Sequence, residues 1–399
     1  MEKKINKRTY RFILYIIAGA MVVVAALVIS AKTGIAAKGN DMAEKSSTLK
    51  NDNDSSSEIA GTMSIKEANG MPVYGNWRTF TTKDGLPSDK VYTVRIDGNR
   101  VLAGTHDGLA VYENGKWKTY TTSDGLGHNA VVSIDVNKLT GEVWLGTFGG
   151  LTRWSGGKFE TYTQFNSGMP NDLVYNVICD GKDIWVATAG GAGHYDTFRK
   201  EWEIFTEQNA PMHEPWTYAM SAGDGKIFIA AWGGGVIEYN KETKQFRDYT
   251  DPDGFMEIDL QPDDGVVHDI TTATSWADGV LWVSTYFGMS SYDGKNWKGF
   301  FDHDSGLASN FINFLRAKGR VAFVCSDKGL STTDGTTWVT YKKNEGNSNG
   351  MAIITSGKDR KEVPLSPSIS HNFIIGVDAD KDQLWVATSQ GVCRGELMK

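Results

Sequence analysis

The sequence predicts an all-β chain folded as a seven-bladed β-propeller of four-stranded blades, and three observations predict it. One pattern recurs seven times from residue 74 onward. Its period is about 40 residues, the length of a propeller blade. Gly (45 residues) and Trp (13) are frequent while charged residues make up only 22%, a balance that suits short strands joined by tight turns.

Each copy opens with an aromatic, two residues, then Tyr or Phe. The pairs are Trp77/Phe80, Trp117/Tyr120, Phe159/Tyr162, Trp202/Phe205, Phe246/Tyr249, Trp297/Phe300 and Trp338/Tyr341. The middle strands include VWLGTFGGL, IWVATAGGAG and LWVATSQGV. A single such sheet cannot bury both faces, whereas a ring of them can. The aromatic pairs are therefore expected to pack between blades, and the Thr ending the second strand to bond locally across its turn. The chain ends with HNFIIGVDA, QLWVATS and GVCRGE, three inner strands without an outer one. The spare outer strand is YGNWRTFTT at 74–82, which is predicted to complete the seventh blade and close the ring.

The N-terminus reads differently. Residues 1–11 carry Lys3, Lys4, Lys7, Arg8 and Arg11, a basic flank expected to stay cytoplasmic. Residues 12–30 contain no charge, long enough to cross a hydrocarbon core of about 30 Å as one helix. A retained signal anchor is favoured, with cleavage near Gly34-Ile35-Ala36 as the alternative. Either way the remainder lies on the extracytoplasmic, periplasmic side of the cytoplasmic membrane. Residues 31–73 are mostly polar and read as a flexible tether, leaving 74–399 as the propeller.

Composition excludes some functions. A net charge of −7 with no basic stripe beyond the N-terminus argues against nucleic acid. Cys179, Cys325 and Cys393 form no metal or disulfide spacing and read as small buried apolar residues. No nucleophile elbow, phosphate-binding loop or His-Glu-x-x-His run occurs.

Three elements recur in order: the Thr-x-x-Gly-Leu-Pro turn of TTKDGLPSDKVYTV, the VWLGTFGGL run at 143–151, and the trailing Trp-x-x-Tyr. In these the chain resembles the two-component regulator propeller repeat family over about residues 74–395. The resemblance implies a sensor-type propeller of the kind found outside the membrane in hybrid sensor kinases. The sequence through Lys399 carries no kinase segment, so signalling is expected to need a separate signalling or envelope protein partner.

The repeats also align a residue pair before each innermost strand. Around the ring it is Ser88-Asp89, His128-Asn129, Asn171-Asp172, His213-Glu214, His268-Asp269, Ser309-Asn310 and His371-Asn372. Four of the seven histidines thus share one repeat position. At the channel rim, His128, His213, His268 and His371 are candidate ligands for a transition metal, Fe(II) or Zn. Glu214 and Asp269 are candidate acceptors behind the imidazoles. The alternative is a position that needs only a short polar residue, as Ser88, Asn171 and Ser309 suggest. On the same face His106, Phe148, Trp216, Trp232 and Tyr286 form a candidate ligand pocket, or else are scattered surface aromatics. Two long connections, 250–265 and 343–370, are candidate lids. The first is acidic and suggests Ca²⁺, although a solvated loop is the stronger reading because calcium-motif spacing is missing.

Three functions remain open. The favoured one is a ligand-binding, sensory or protein-interaction module. The others are a metal-dependent oxygenase- or lyase-like enzyme on the four histidines, and a scaffold subunit of an envelope complex.

Overall fold

The computed structural model describes residues 68–252 and 265–398. Every blade starts at the axis and runs outward as an antiparallel sheet. The innermost strands are Val91–Asp97, Val131–Val136, Val174–Asp180, Thr217–Gly223, Thr271–Ala277, Ile312–Lys318 and Ile374–Ala379. The second strand of each blade has sheet neighbours on both edges and another blade over each face, so it tolerates almost no polar residue. Val143–Thr147 (VWLGT) is buried along its whole length. Fourth strands that form the outer surface, such as Lys116–Tyr120 and Lys158–Tyr162, are exposed or half-buried throughout, whereas Thr337–Lys343 of blade 6 is buried over its first five residues.

The ring closes as the repeat phase predicts. Tyr74–Phe80 pairs antiparallel with Gly391–Leu397 and becomes the outer strand of blade 7. Phe80 stacks on Trp385 of the same blade at 5.6 Å and meets Trp117 of blade 1 edge-on at 5.7 Å. Trp77, 2% exposed, meets Tyr341 of blade 6 at 5.5 Å. The aromatic pairs are blade-to-blade packing, each contact adding about 0.5–1.5 kcal/mol beyond its buried area.

The predicted local bond of the second-strand Thr is present. Thr147 Oγ1 donates to Gly150 O at 2.7 Å and accepts from Gly149 N–H at 3.1 Å. Thr105, Thr188, Thr285, Ser326 and Thr388 each donate to the equivalent glycine carbonyl. Only glycine suits that equivalent position. Gly150 has φ 110°, and a Cβ on it would lie 2.3 Å from Tyr162 O.

Two expectations change. Residues 343–370 are not a lid. Gly350–Ser356 and Asp359–Leu365 form a hairpin on Thr337–Lys343 and widen blade 6 to six strands. Alternating burial of Ala352, Ile354, Val363 and Leu365 supplies the apolar face that holds the hairpin down. The folded domain also begins before residue 74. Ala68, Met71 and Val73, counted above with the tether, are buried in the same cluster.

The 12–30 segment lies outside the described residues, among which no helix is long and apolar enough to cross a membrane. The acidic residues Asp253, Glu257, Asp259, Asp263 and Asp264 of the 250–265 connection also lie outside them. Cys325 and Cys393 are buried, Cys179 is half-buried, and all three are free thiols.

Candidate functional site

The pair that precedes each inner strand is a two-part buckle. Its first residue turns the chain into the strand by accepting the N–H two residues on. His128, His268 and His371 do this through Nδ1, receiving Ala130, Ile270 and Phe373 N–H at 2.9, 3.0 and 2.9 Å. Ser88, Asn171 and Ser309 make the same bond with a hydroxyl or amide oxygen, to Lys90, Leu173 and Phe311. The second residue secures the end of the incoming outer strand. Asp89, Asn129, Asp172, Asn310 and Asn372 receive N–H groups of Thr82, Thr122, Gln164, Asp302 and Lys343 at 2.6–2.9 Å. Asp269 Oδ1 likewise receives Asp251 N–H at 3.0 Å. Blade 4 departs from the rule: His213 Nδ1 bonds Gly233 O at 2.8 Å, and Glu214 is half-buried beside it.

This geometry bears on the metal expectation. An imidazole that accepts at Nδ1 carries its proton on Nε2, the other possible ligand atom. The rings also sit at different depths. His128 and His213 are exposed, His371 is half-buried, and His268 is 1% exposed and lies 4.1 Å from the ring of Phe287. Burial pushes His268 down to about 4, so it is neutral across the physiological range. Among the described residues no group of three or more His, Cys, Asp or Glu side chains is placed to hold a metal ion.

The aromatic candidates are brought together more fully. Phe148 sits between His128 and Tyr175, 6.4 Å from each ring. Tyr175 stacks on Trp216 at 6.2 Å, and Trp216 meets Trp232 at 6.1 Å. Tyr218 joins Tyr175, Trp216 and Trp232 at 5.6, 6.0 and 5.8 Å. Tyr286 of blade 5 stacks on Phe311 at 4.4 Å. Its phenol also acts electrostatically with those of Tyr175 and Tyr218. Burial raises all three phenols, Tyr286 to about 12. They therefore stay protonated and able to donate. His106 is set apart: it is exposed, and its Nδ1 bonds the Tyr92 hydroxyl at 3.0 Å.

Tyr175 and Tyr218 were not singled out from the sequence. The signal was there: with Tyr92 they occupy the second position of three inner strands. That position lines the upper channel, where Tyr92, Tyr175, Tyr218, Thr272 and Asn313 surround a cavity of about 170 Å³.

A second ring lies three residues deeper, at the fifth position of each inner strand. It reads Arg95, Asp135, Ile178, Ser221, Ser275, Arg316 and Asp378. Arg95 bonds Asp135 at 2.5 Å and lies 3.8 Å from Asp378, which is also 3.8 Å from Arg316. These residues line a larger cavity of about 370 Å³ toward the opposite mouth. The repeat alignment contained this ring too, but charge alternation between blades has no local signature.

No family model and no curated protein matches this chain. Solved structures do. The extracellular domain of a hybrid two-component system from B. thetaiotaomicron superposes with TM-score 0.61 at 20% identity, covering 81% of this chain and 41% of that one. A second such domain from the same organism gives 0.60 at 16% identity, covering 80% and 40%. Virginiamycin B lyase from Staphylococcus aureus gives 0.58 at 13% identity, covering 81% and 99%. The chain thus spans about two-fifths of the two-component domains it resembles. What the likeness establishes is the fold: this chain is a seven-bladed β-propeller of the architecture found in the extracellular domains of two-component systems.

Proposed function

We propose that this chain is a membrane-tethered, extracytoplasmic propeller that binds a ligand or partner protein at the aromatic mouth of its channel and passes the signal to a separate protein. The observation that carries the reading is the continuous run of rings through Phe148, Tyr175, Trp216, Tyr218 and Trp232. Rings with protonated phenols among them offer stacking faces and hydrogen-bond donors together. That combination suits a flat, partly polar ligand such as a sugar ring or a peptide side chain. The fold shared with sensor ectodomains and the basic-flanked 12–30 segment support the location.

The test uses the full chain in detergent against a panel of soluble saccharides and short peptides, read by thermal shift and tryptophan fluorescence. A ligand that binds saturably and is weakened at least about tenfold by Trp216→Ala supports the reading. Binding that survives both Trp216→Ala and Phe148→Ala places the site elsewhere. For the tether, alkaline washing should leave the chain in the membrane fraction, with the propeller open to protease added outside.

A further inference from the structure

The deeper cavity holds a feature that packing does not explain. Arg316 donates no hydrogen bond to any described residue. Its nearest carboxylate oxygen, Asp378 Oδ1, is 3.8 Å away, beyond hydrogen-bond reach. Its Nε is buried without a partner, and so is that of Arg95. A guanidinium has five N–H donors, and a donor shut away from water without a partner, as each Nε is here, is costly.

The neighbouring carboxylates are already engaged. Asp378 receives Ile96 N–H on Oδ2 at 2.9 Å and Ala379 N–H on Oδ1 at 3.0 Å. Asp135 receives Arg95 and Val136 N–H on Oδ1, and Cys179 N–H on Oδ2. Four cations line the cavity, Arg95, Lys138, Arg316 and Lys318, against Asp135 and Asp378; of these Lys138 also lies 3.9 Å from Asp97 and Lys318 donates to Ala379 O. The wall supplied by blades 3 to 5 carries no charge and mixes apolar with polar side chains, Ile178 and Met220 beside Ser221 and Ser275. Ser275 Oγ accepts Ala317 N–H at 2.8 Å, which leaves its own proton to donate.

We infer that this cavity is a binding site for a small oxyanion, a carboxylate or a phosphate, held chiefly by Arg316. The planar fork of a guanidinium matches both groups in a bidentate fashion. The cavity of about 370 Å³ has room for phosphate or a short dicarboxylate with accompanying water. The site is distinct from the aromatic mouth, although Asn176, Phe314 and Arg316 line both cavities and join them into one channel.

The experiment is calorimetric titration of the full chain in detergent with inorganic phosphate and, separately, with succinate. At least one should bind saturably, and Arg316→Gln should weaken it at least about tenfold. Arg316→Lys keeps the charge, loses the fork, and should fall between. In anion-free buffer Arg316→Gln should melt no lower than the parent, because the side chain removed makes no hydrogen bond and only a 3.8 Å approach to Asp378. Phosphate alone or succinate alone identifies which oxyanion the site takes. Trp216→Ala should leave anion binding unchanged, separating this site from the one proposed above. The inference fails if neither anion binds, or if affinity is the same in Arg316→Lys and Arg316→Gln as in the parent. A lower melting temperature for Arg316→Gln in anion-free buffer would likewise make Arg316 a structural partner of Asp378 and overturn it.

Discussion

The two ends of one channel are built from the same seven strands and have opposite chemistry. At the rim that carries the blade-to-blade connections, Tyr175, Trp216, Tyr218 and Trp232 form an uncharged aromatic wall. Three residues deeper along the same strands, Asp135, Arg95, Asp378 and Arg316 form a charged arc over blades 2, 1, 7 and 6. Blades 3 to 5 contribute Ile178, Ser221 and Ser275 to that level. A repeat fixes where a side chain stands, and leaves each copy free to choose what stands there. The aromatics cluster on blades 2 to 5 and the charges on blades 6, 7, 1 and 2, overlapping only at blade 2, so each mouth is asymmetric and offers a ligand one preferred direction.

Five perturbations test this contrast. The largest effect should come from deleting residues 74–82. Both mouths depend on the closed circle, and the strand buries Tyr74, Trp77 and Phe80. Loss of more than about 5 kcal/mol is expected, seen as a melting temperature lower by about 10 °C or more. An unchanged melting curve would mean that the ring does not need this strand.

Asp378→Ala strikes the deep level alone. It removes the acceptor of the Ile96 and Ala379 N–H groups together with the carboxylate 3.8 Å from Arg95 and from Arg316, and should cost about 3–5 kcal/mol in denaturant unfolding. Ligand binding at the aromatic rim should persist in the surviving folded fraction. If that binding vanishes in folded protein, the two levels are not independent.

His268 sets a pH dependence at the rim. Its folded value, about 4, lies below the ordinary 6.5, so the unfolded chain takes up the proton first as pH falls. The stabilisation is fully present above about pH 6.5, declines toward pH 4, and amounts to roughly 3 kcal/mol. His268→Asn keeps an acceptor of the kind Asn171 provides and removes the titration. Stability against pH should then be flatter between 6.5 and 4. An identical acid slope would assign the loss to other groups.

Trp216→Ala should cost only about 1–2 kcal/mol in stability, since the ring is half-buried. Its effect on ligand affinity at the rim should be far greater. A large stability loss with unchanged binding would reverse the assignment and make the aromatic run packing.

The smallest effect belongs to His128. Serine holds the same bond in blades 1 and 6, so His128→Ser should change stability by less than about 0.5 kcal/mol, whereas His128→Ala should cost about 1. Metal analysis of tag-free protein accompanies it. Near-stoichiometric transition metal, lost in His128→Ser, would support a four-histidine centre and set aside the buckle as the whole account of this position.

Much of the fold was legible because repetition amplifies weak local signals. One VWLGT is an ambiguous apolar run, and seven in register with Trp-x-x-Tyr are a propeller. The hairpin 350–365 had no repeat to mark it because it occurs once, and Met351 and Ile353 beside Ala352 and Ile354 hide the two-residue alternation. The histidine positions were equally visible, and their alignment was real. What the alignment left open was the atom that matters: Nδ1 faces the backbone at His128, His268 and His371. The same turn engages the side chain at this position in six blades, and spacing along the sequence does not say which ring atom it takes.

By itself the sequence determined the number of blades, the phase of the repeat and the strand that closes it, because period and burial pattern are properties of the chain's own order. The tertiary structure alone decided which residues of different blades meet. The stacking of Tyr175 on Trp216, and the sharing of Asp378 between Arg95 and Arg316, join residues dozens to hundreds of positions apart. Such contacts exist only once the ring has curved and brought equivalent positions to a common axis.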